Sequence, residues 1–293
     1  MGFLLLFLAA LAAAVKGWAG KKTSRVVHQM PDVLFSNALR MLLCLLLGCG
    51  LALIVSRRGL RVGRDTLYCA LLYAAMLATN VVIWLLCAQG SGYLLISVFG
   101  MMGTAVSLLC SALFLHDVIH PAQVPGVLLL IAASGVMCLR RGGLRLKARD
   151  LALLLADTLT TGLVDFSQKL FADLHTRDTT AAYSFYCYLF AAVFLLGGYL
   201  AVCRARQTSF QPAAIRRAFP FTCVMAATLF INNYARTAAA GMLSAALFYP
   251  VYKGVDIILG VLMAALALRE KPDARTLCGV GMAFAALLIL RAL

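Results

Sequence analysis

The chain has 293 residues, 63% hydrophobic and 13% charged, with a mean hydropathy of +0.94 and a formal net charge of +15. A soluble domain is nearer half apolar and a quarter charged, so this composition excludes a water-soluble globule and points to an integral membrane protein. The basic excess, 26 Lys and Arg against 11 Asp and Glu, lies mostly in short gaps between apolar blocks; that is the pattern of membrane loops and implies no nucleic-acid partner.

The apolar blocks are unbroken and near the roughly 20 residues a helix needs to cross a bilayer, not the ten or so of an alternating strand. In chain order they are Gly2 to Gly20, Val33 to Ser56, Thr66 to Ala88, Tyr93 to Leu115 and Val124 to Leu139. After a polar junction come Leu151 to Ala172, Ala181 to Cys203, Phe219 to Ala238, Leu243 to Leu268 and Leu277 to Leu290. Ten spans and their connections use nearly the whole chain, so the expected site lies between helices. No basic residues precede the first block, and Lys16 falls where a signal cleavage region would be. That block is therefore expected to stay as a span. The ten cysteines, Cys44 to Cys278, show no CxxC spacing and read as small buried apolar residues, with neither a disulfide framework nor a metal site implied.

An offset of 153 positions brings the two halves into register: Lys16 falls on Lys169, Asn80 on Asn233, Asp117 on Glu270 and Gly126 on Gly279. The chain divides into a first five-helix repeat at 1–139, a basic junction at 140–150 and a second repeat at 151–293. Five is odd, so the second repeat must enter the membrane from the opposite side, an inverted repeat of the kind that builds secondary transporters.

The segments Leu115-His116-Asp117 to Gly126-Val127 and Leu268-Arg269-Glu270-Lys271-Pro272 to Gly279-Val280 place an acid at the end of the fourth span of each repeat and a glycine nine residues on. With the proline-bearing stretch Ala246 to Gly254, this unit resembles the EamA-like domain of the drug/metabolite transporter superfamily, over the whole chain. Asp117 stands where that family usually has Glu. The resemblance implies an all-α integral membrane fold of ten transmembrane helices in two inverted repeats. It also implies transport of metabolites, amino acids, nucleotide sugars, phosphorylated sugars or drugs, and a multi-pass location in a bacterial cytoplasmic membrane.

An ionisable residue in mid-span costs at least about 2.5 to 3.5 kcal/mol and normally faces a cavity or a partner. Lys16, Arg40, Asp157, Asp165, Lys169, Lys253 and Asp256 are such residues. Asp165 with Lys169, and Lys253 with Asp256, share helix faces and are expected to pair locally. Lys16 and Arg40 have no acid inside any first-half span, so their partners must be second-half acids, backbone carbonyls or a ligand; Lys16 is also four residues from Gly20, near enough to snorkel. Asn80, Asn232 and Asn233 either join helices or line the pathway. Gly100, Gly103, Gly254 and Gly260 are expected as packing notches. Tyr183, Phe185, Tyr186, Tyr188, Tyr249 and Tyr252 are cavity or interfacial aromatics.

The expected substrate-binding set is Lys16, Arg40, Asn80, Lys169, Asn233, Tyr249 and Lys253, with Asp157, Asp165 and Asp256 for charge pairing or coupling. The leading function is a secondary transporter for a small organic metabolite, and a cavity richer in bases than acids favours one bearing carboxylate or phosphate. A proton-coupled multidrug or cation exporter is the alternative within transport, and a non-transporting receptor or assembly subunit the alternative outside it. An enzyme is not expected: His28, His116, His120 and His175 lie in or near loops without ligand spacing, and there is no P-loop. No cofactor is expected; the partners are a small-molecule substrate, the lipid bilayer, and a coupling proton or counter-substrate. Loops on one side carry fifteen Lys and Arg, among them Lys21, Lys22, Arg140 and Arg216, against seven on the other, including Arg57, Arg64, Arg236 and Arg291. That count puts both termini outside, whereas the resembled family usually keeps them in the cytoplasm.

Overall fold

The computed structural model describes residues 1–55, 60–115, 124–140, 143–144, 147–174, 178–243, 245–269 and 274–291. The described helices are α1 (Gly2–Ser24), α2 (Met30–Val55), α3 (Arg64–Gly90), α4 (Tyr93–Phe114), α5 (Val124–Cys138), α6 (Ala148–Asp173), α7 (Thr180–Arg206), α8 (Pro212–Ala240), α9 (Ala245–Leu266) and α10 (Ala274–Arg291). Between α5 and α6, β1 (Leu139–Arg140) and β2 (Gly143–Leu144) form a two-residue antiparallel ladder. Six helices, α1 to α4, α7 and α8, are long and apolar enough to cross a membrane. Of the other four, α6 and α9 carry charges in mid-helix, and α5 and α10 are shorter, at 15 and 18 residues.

The distribution of polarity suits lipid. Leu46, Leu53, Tyr68, Leu113 and Leu266 are exposed while Asp157, Asp165, Arg236 and Lys253 are buried, the reverse of a soluble surface. Apart from the short ladder between α5 and α6 the described chain is helical, and it is a multi-pass membrane protein.

Two boundaries differ from expectation by more than three residues. α1 runs on past Gly20 to Ser24, where Lys21 donates to the Ala88 and Ser91 carbonyls (2.7 and 2.6 Å) at the end of α3, a basic cap on helix-terminal oxygens. α8 starts at Pro212, ahead of the apolar block at Phe219. Its first turns are amphipathic, with Arg216 and Arg217 exposed and Ile215 and Ala218 buried, and the Asp32 carboxylate takes the N–H of Gln211 just before it (2.7 Å). Proline suits that first position, where its missing N–H would be unpaired anyway.

Helix neighbours recur between the halves. α1 packs on α8 as α6 packs on α3; α4 packs on α6 as α9 packs on α1; α3 packs on α7 as α8 packs on α2. α2 meets α7, α4 meets α9 and α5 meets α10. The approach of α4 to α6 rests on glycines: a Cβ on Gly162 would lie 2.5 Å from the Gly103 carbonyl oxygen, so Gly103 is the packing notch expected of it.

Candidate functional site

The helices α1, α2, α3, α4, α6, α8 and α9 surround one polar cavity of about 130 Å³. Asp165 of α6, 1% exposed, accepts a hydrogen bond from the Arg236 guanidinium of α8 and lies 3.4 Å from the Lys253 ammonium of α9. Arg236 also stacks over the Tyr252 ring at 4.5 Å. The Tyr252 hydroxyl accepts from Asn232 (2.9 Å), which also donates to the Ala9 carbonyl of α1 (2.7 Å). A second carboxylate, Asp157, also 1% exposed, accepts from Asn80 of α3 at 3.2 Å. The same amide lies within hydrogen-bond reach of the Thr160 and Thr161 hydroxyls (3.1 and 3.0 Å). Its counterpart Asn233 donates to the Tyr188 hydroxyl (3.2 Å).

Lys16, Arg40 and Asp256 line the same space. Arg40 is 4% exposed, and among the described residues its Nε and Nη2 have no hydrogen-bond partner. Trp84 and Tyr93 supply aromatic walls; they sit in glycine notches of α1, where a Cβ on Gly17 would meet the Tyr93 ring at 2.3 Å and one on Gly20 the Trp84 ring at 2.4 Å.

Several expectations are corrected. Lys169 does not line the cavity: it forms an ion pair with Asp173 at 3.3 Å, one turn further on, where Asp173 is 41% exposed. Asp165 pairs between helices, with Arg236 of α8 and Lys253 of α9, while Lys169 has a same-helix partner in Asp173. Lys253 also lies 3.5 Å from the Gly100 carbonyl oxygen of α4, so Gly100 faces the cavity instead of serving only as a notch. Lys16 lines the cavity eight residues before the end of α1, too deep for the snorkelling its nearness to Gly20 suggested. Tyr183 stacks on Phe171 (3.9 Å), and Tyr183 and Tyr188 are structural and outside the cavity. The side chain of Tyr249 lies outside the described residues, as do Asp117, Glu270, His116, His120 and His175.

Arg236 is the residue sequence reasoning misplaced, counting it with a loop. Its signal was present: it falls inside the eighth span, three residues after Asn233 and on the same face. Among the described residues there is no cluster able to hold a metal ion.

No family model matches the chain, and no curated protein matches it. Chains of known structure do, 28 of them. One, a crystal structure described only as that of a protein, is 15% identical, covers 97% of this chain and 95% of its own, and superposes with a TM-score of 0.65. That likeness extends over both chains almost entirely and shows the fold alone.

Proposed function

We propose that this protein is a secondary transporter that moves a small organic metabolite across a bacterial cytoplasmic membrane by alternating access. In this reading ten membrane helices form two inverted EamA-like repeats around a midplane site. The observation that carries it is the charged cavity enclosed by seven otherwise apolar helices. Burying this many ions inside a membrane protein is costly unless a pathway needs them.

The inverted repeat is supported by the recurrence of helix neighbours between the halves. It is supported again by position: Asn80 and Asn233 both line the cavity, and Lys253 approaches Gly100, each pair separated by the same 153 positions. α4 and α9 thus meet at equivalent residues, as elements beside a pseudo-twofold axis do. The aromatic seal of Tyr93 and Trp84 on α1, with Lys21 tying α1 to α3, fits a state shut on the side of the α1 C terminus.

A proton-coupled exporter of cations is the second reading. It is favoured by Asp256, a cavity carboxylate outside the Asp165 ion pairs. Counterflow in liposomes against pools of labelled metabolites tests both readings. Exchange independent of a pH gradient supports the first, proton-driven efflux of a cation supports the second, and absence of any flux removes transport altogether.

A further inference from the structure

The four cations of the cavity divide into two pairs. Arg236 and Lys253 share the Asp165 carboxylate. Arg40 and Lys16 do not. The Arg40 guanidinium is 4% exposed, lines the cavity, and among the described residues has no hydrogen-bond partner at Nε and Nη2. Cys44, Tyr188 and Lys16 lie within its electrostatic reach. Cys44 donates its thiol to the Ala226 carbonyl (3.2 Å) and the Tyr188 hydroxyl accepts from Asn233; both are neutral groups already engaged elsewhere. Lys16 lies within electrostatic reach of Arg40 and of Asp256, and among the described residues it makes no hydrogen bond or ion pair.

A buried guanidinium with free donors destabilises a protein unless something outside the chain completes it. The planar N–H fork matches carboxylate and phosphate oxygens, and a nearby ammonium adds a second charge. The cavity volume of about 130 Å³ is comparable to the ~150 Å³ that admits benzene in an engineered cavity, which suits a small skeleton.

We propose that Arg40 and Lys16 form an anion-recognition subsite, so that the solute is a compact molecule whose carboxylate or phosphate group docks on Arg40. This rests on the transporter reading above. Thermal shift and calorimetry of the purified protein in lipid-free detergent test it. The anionic probes are inorganic phosphate, glycerol 3-phosphate, acetate and succinate; glycerol and choline are the uncharged and cationic controls, and phosphatidylglycerol is the lipid headgroup.

The inference expects at least one soluble anion to raise the melting temperature of the wild type. It expects Arg40→Gln to weaken that binding by roughly 30-fold or more and Arg40→Lys by less. Without ligand, Arg40→Gln should melt at or above the wild type, since it removes an uncompensated buried charge. Whether the phosphate or carboxylate series responds names the group. The proposal is overturned if no soluble anion stabilises the wild type, if only glycerol, choline or phosphatidylglycerol does, if Arg40→Gln binds the anion as tightly, or if Arg40→Gln melts lower without ligand. Counterflow of the stabilising anion separates the two claims: binding that depends on Arg40 without flux keeps the subsite and sinks the transporter.

Discussion

Asp165 holds two cations at once, and that asymmetry orders the effects of mutation. Replacing it with Asn strands both Arg236 and Lys253 in the interior, whereas Arg236→Gln leaves Asp165 beside Lys253. Breaking a buried pair by removing one partner costs about 3 to 5 kcal/mol. Asp165→Asn is therefore expected to lower the melting temperature more than Arg236→Gln does, and an equal or reversed order would contradict the assigned geometry. Lys169 presents the opposite case. Its ion-pair partner Asp173 is 41% exposed, so Lys169→Gln is expected to cost less stability than Asp165→Asn in chemical denaturation. At this scale the sequence revealed which residues matter better than whom they touch. A charge in mid-span stands out by its cost, but Asp165 and Lys169 share a helix face in any fold, and only the packing of α8 and α9 brings Arg236 and Lys253 onto Asp165.

The helices themselves were readable because lipid enforces a length. Each of the ten expected apolar blocks overlaps a described helix, six of them long and apolar enough to cross a membrane, and the largest end error is at α8, where Arg216 and Arg217 hide the amphipathic first turns from an apolar count. Close approach was less visible. Gly103 was marked as a notch, but its partner Gly162 was not, since nothing in a single sequence says that α4 crosses α6. Gly162→Ala forces a Cβ against the Gly103 carbonyl and is expected to cost about 1 to 3 kcal/mol, as overpacking does. Gly50→Ala, where a Cβ meets open space, is expected to leave the melting temperature unchanged or slightly raised. If the two variants melt alike, α4 and α6 are not packed as described.

For the molecule as a whole, moving Arg236 from a loop into the interior removes one charge from the poorer side and strengthens the count that puts the basic junction in the cytoplasm. A cysteine at Lys147, which is exposed beside that junction, is expected to be shielded from an impermeant maleimide in intact cells; labelling from outside would reverse the orientation.

The central claim, that one cavity opens in turn to each side, is tested most directly at Ser97, a cavity-lining residue of α4. In a background with the native cysteines replaced, Ser97→Cys in liposomes of defined orientation is labelled by an impermeant maleimide from each side, with and without solute. The account predicts access from both sides, with the balance shifted by saturating solute. Access from a single side under every condition, untouched by any solute that binds, would contradict it.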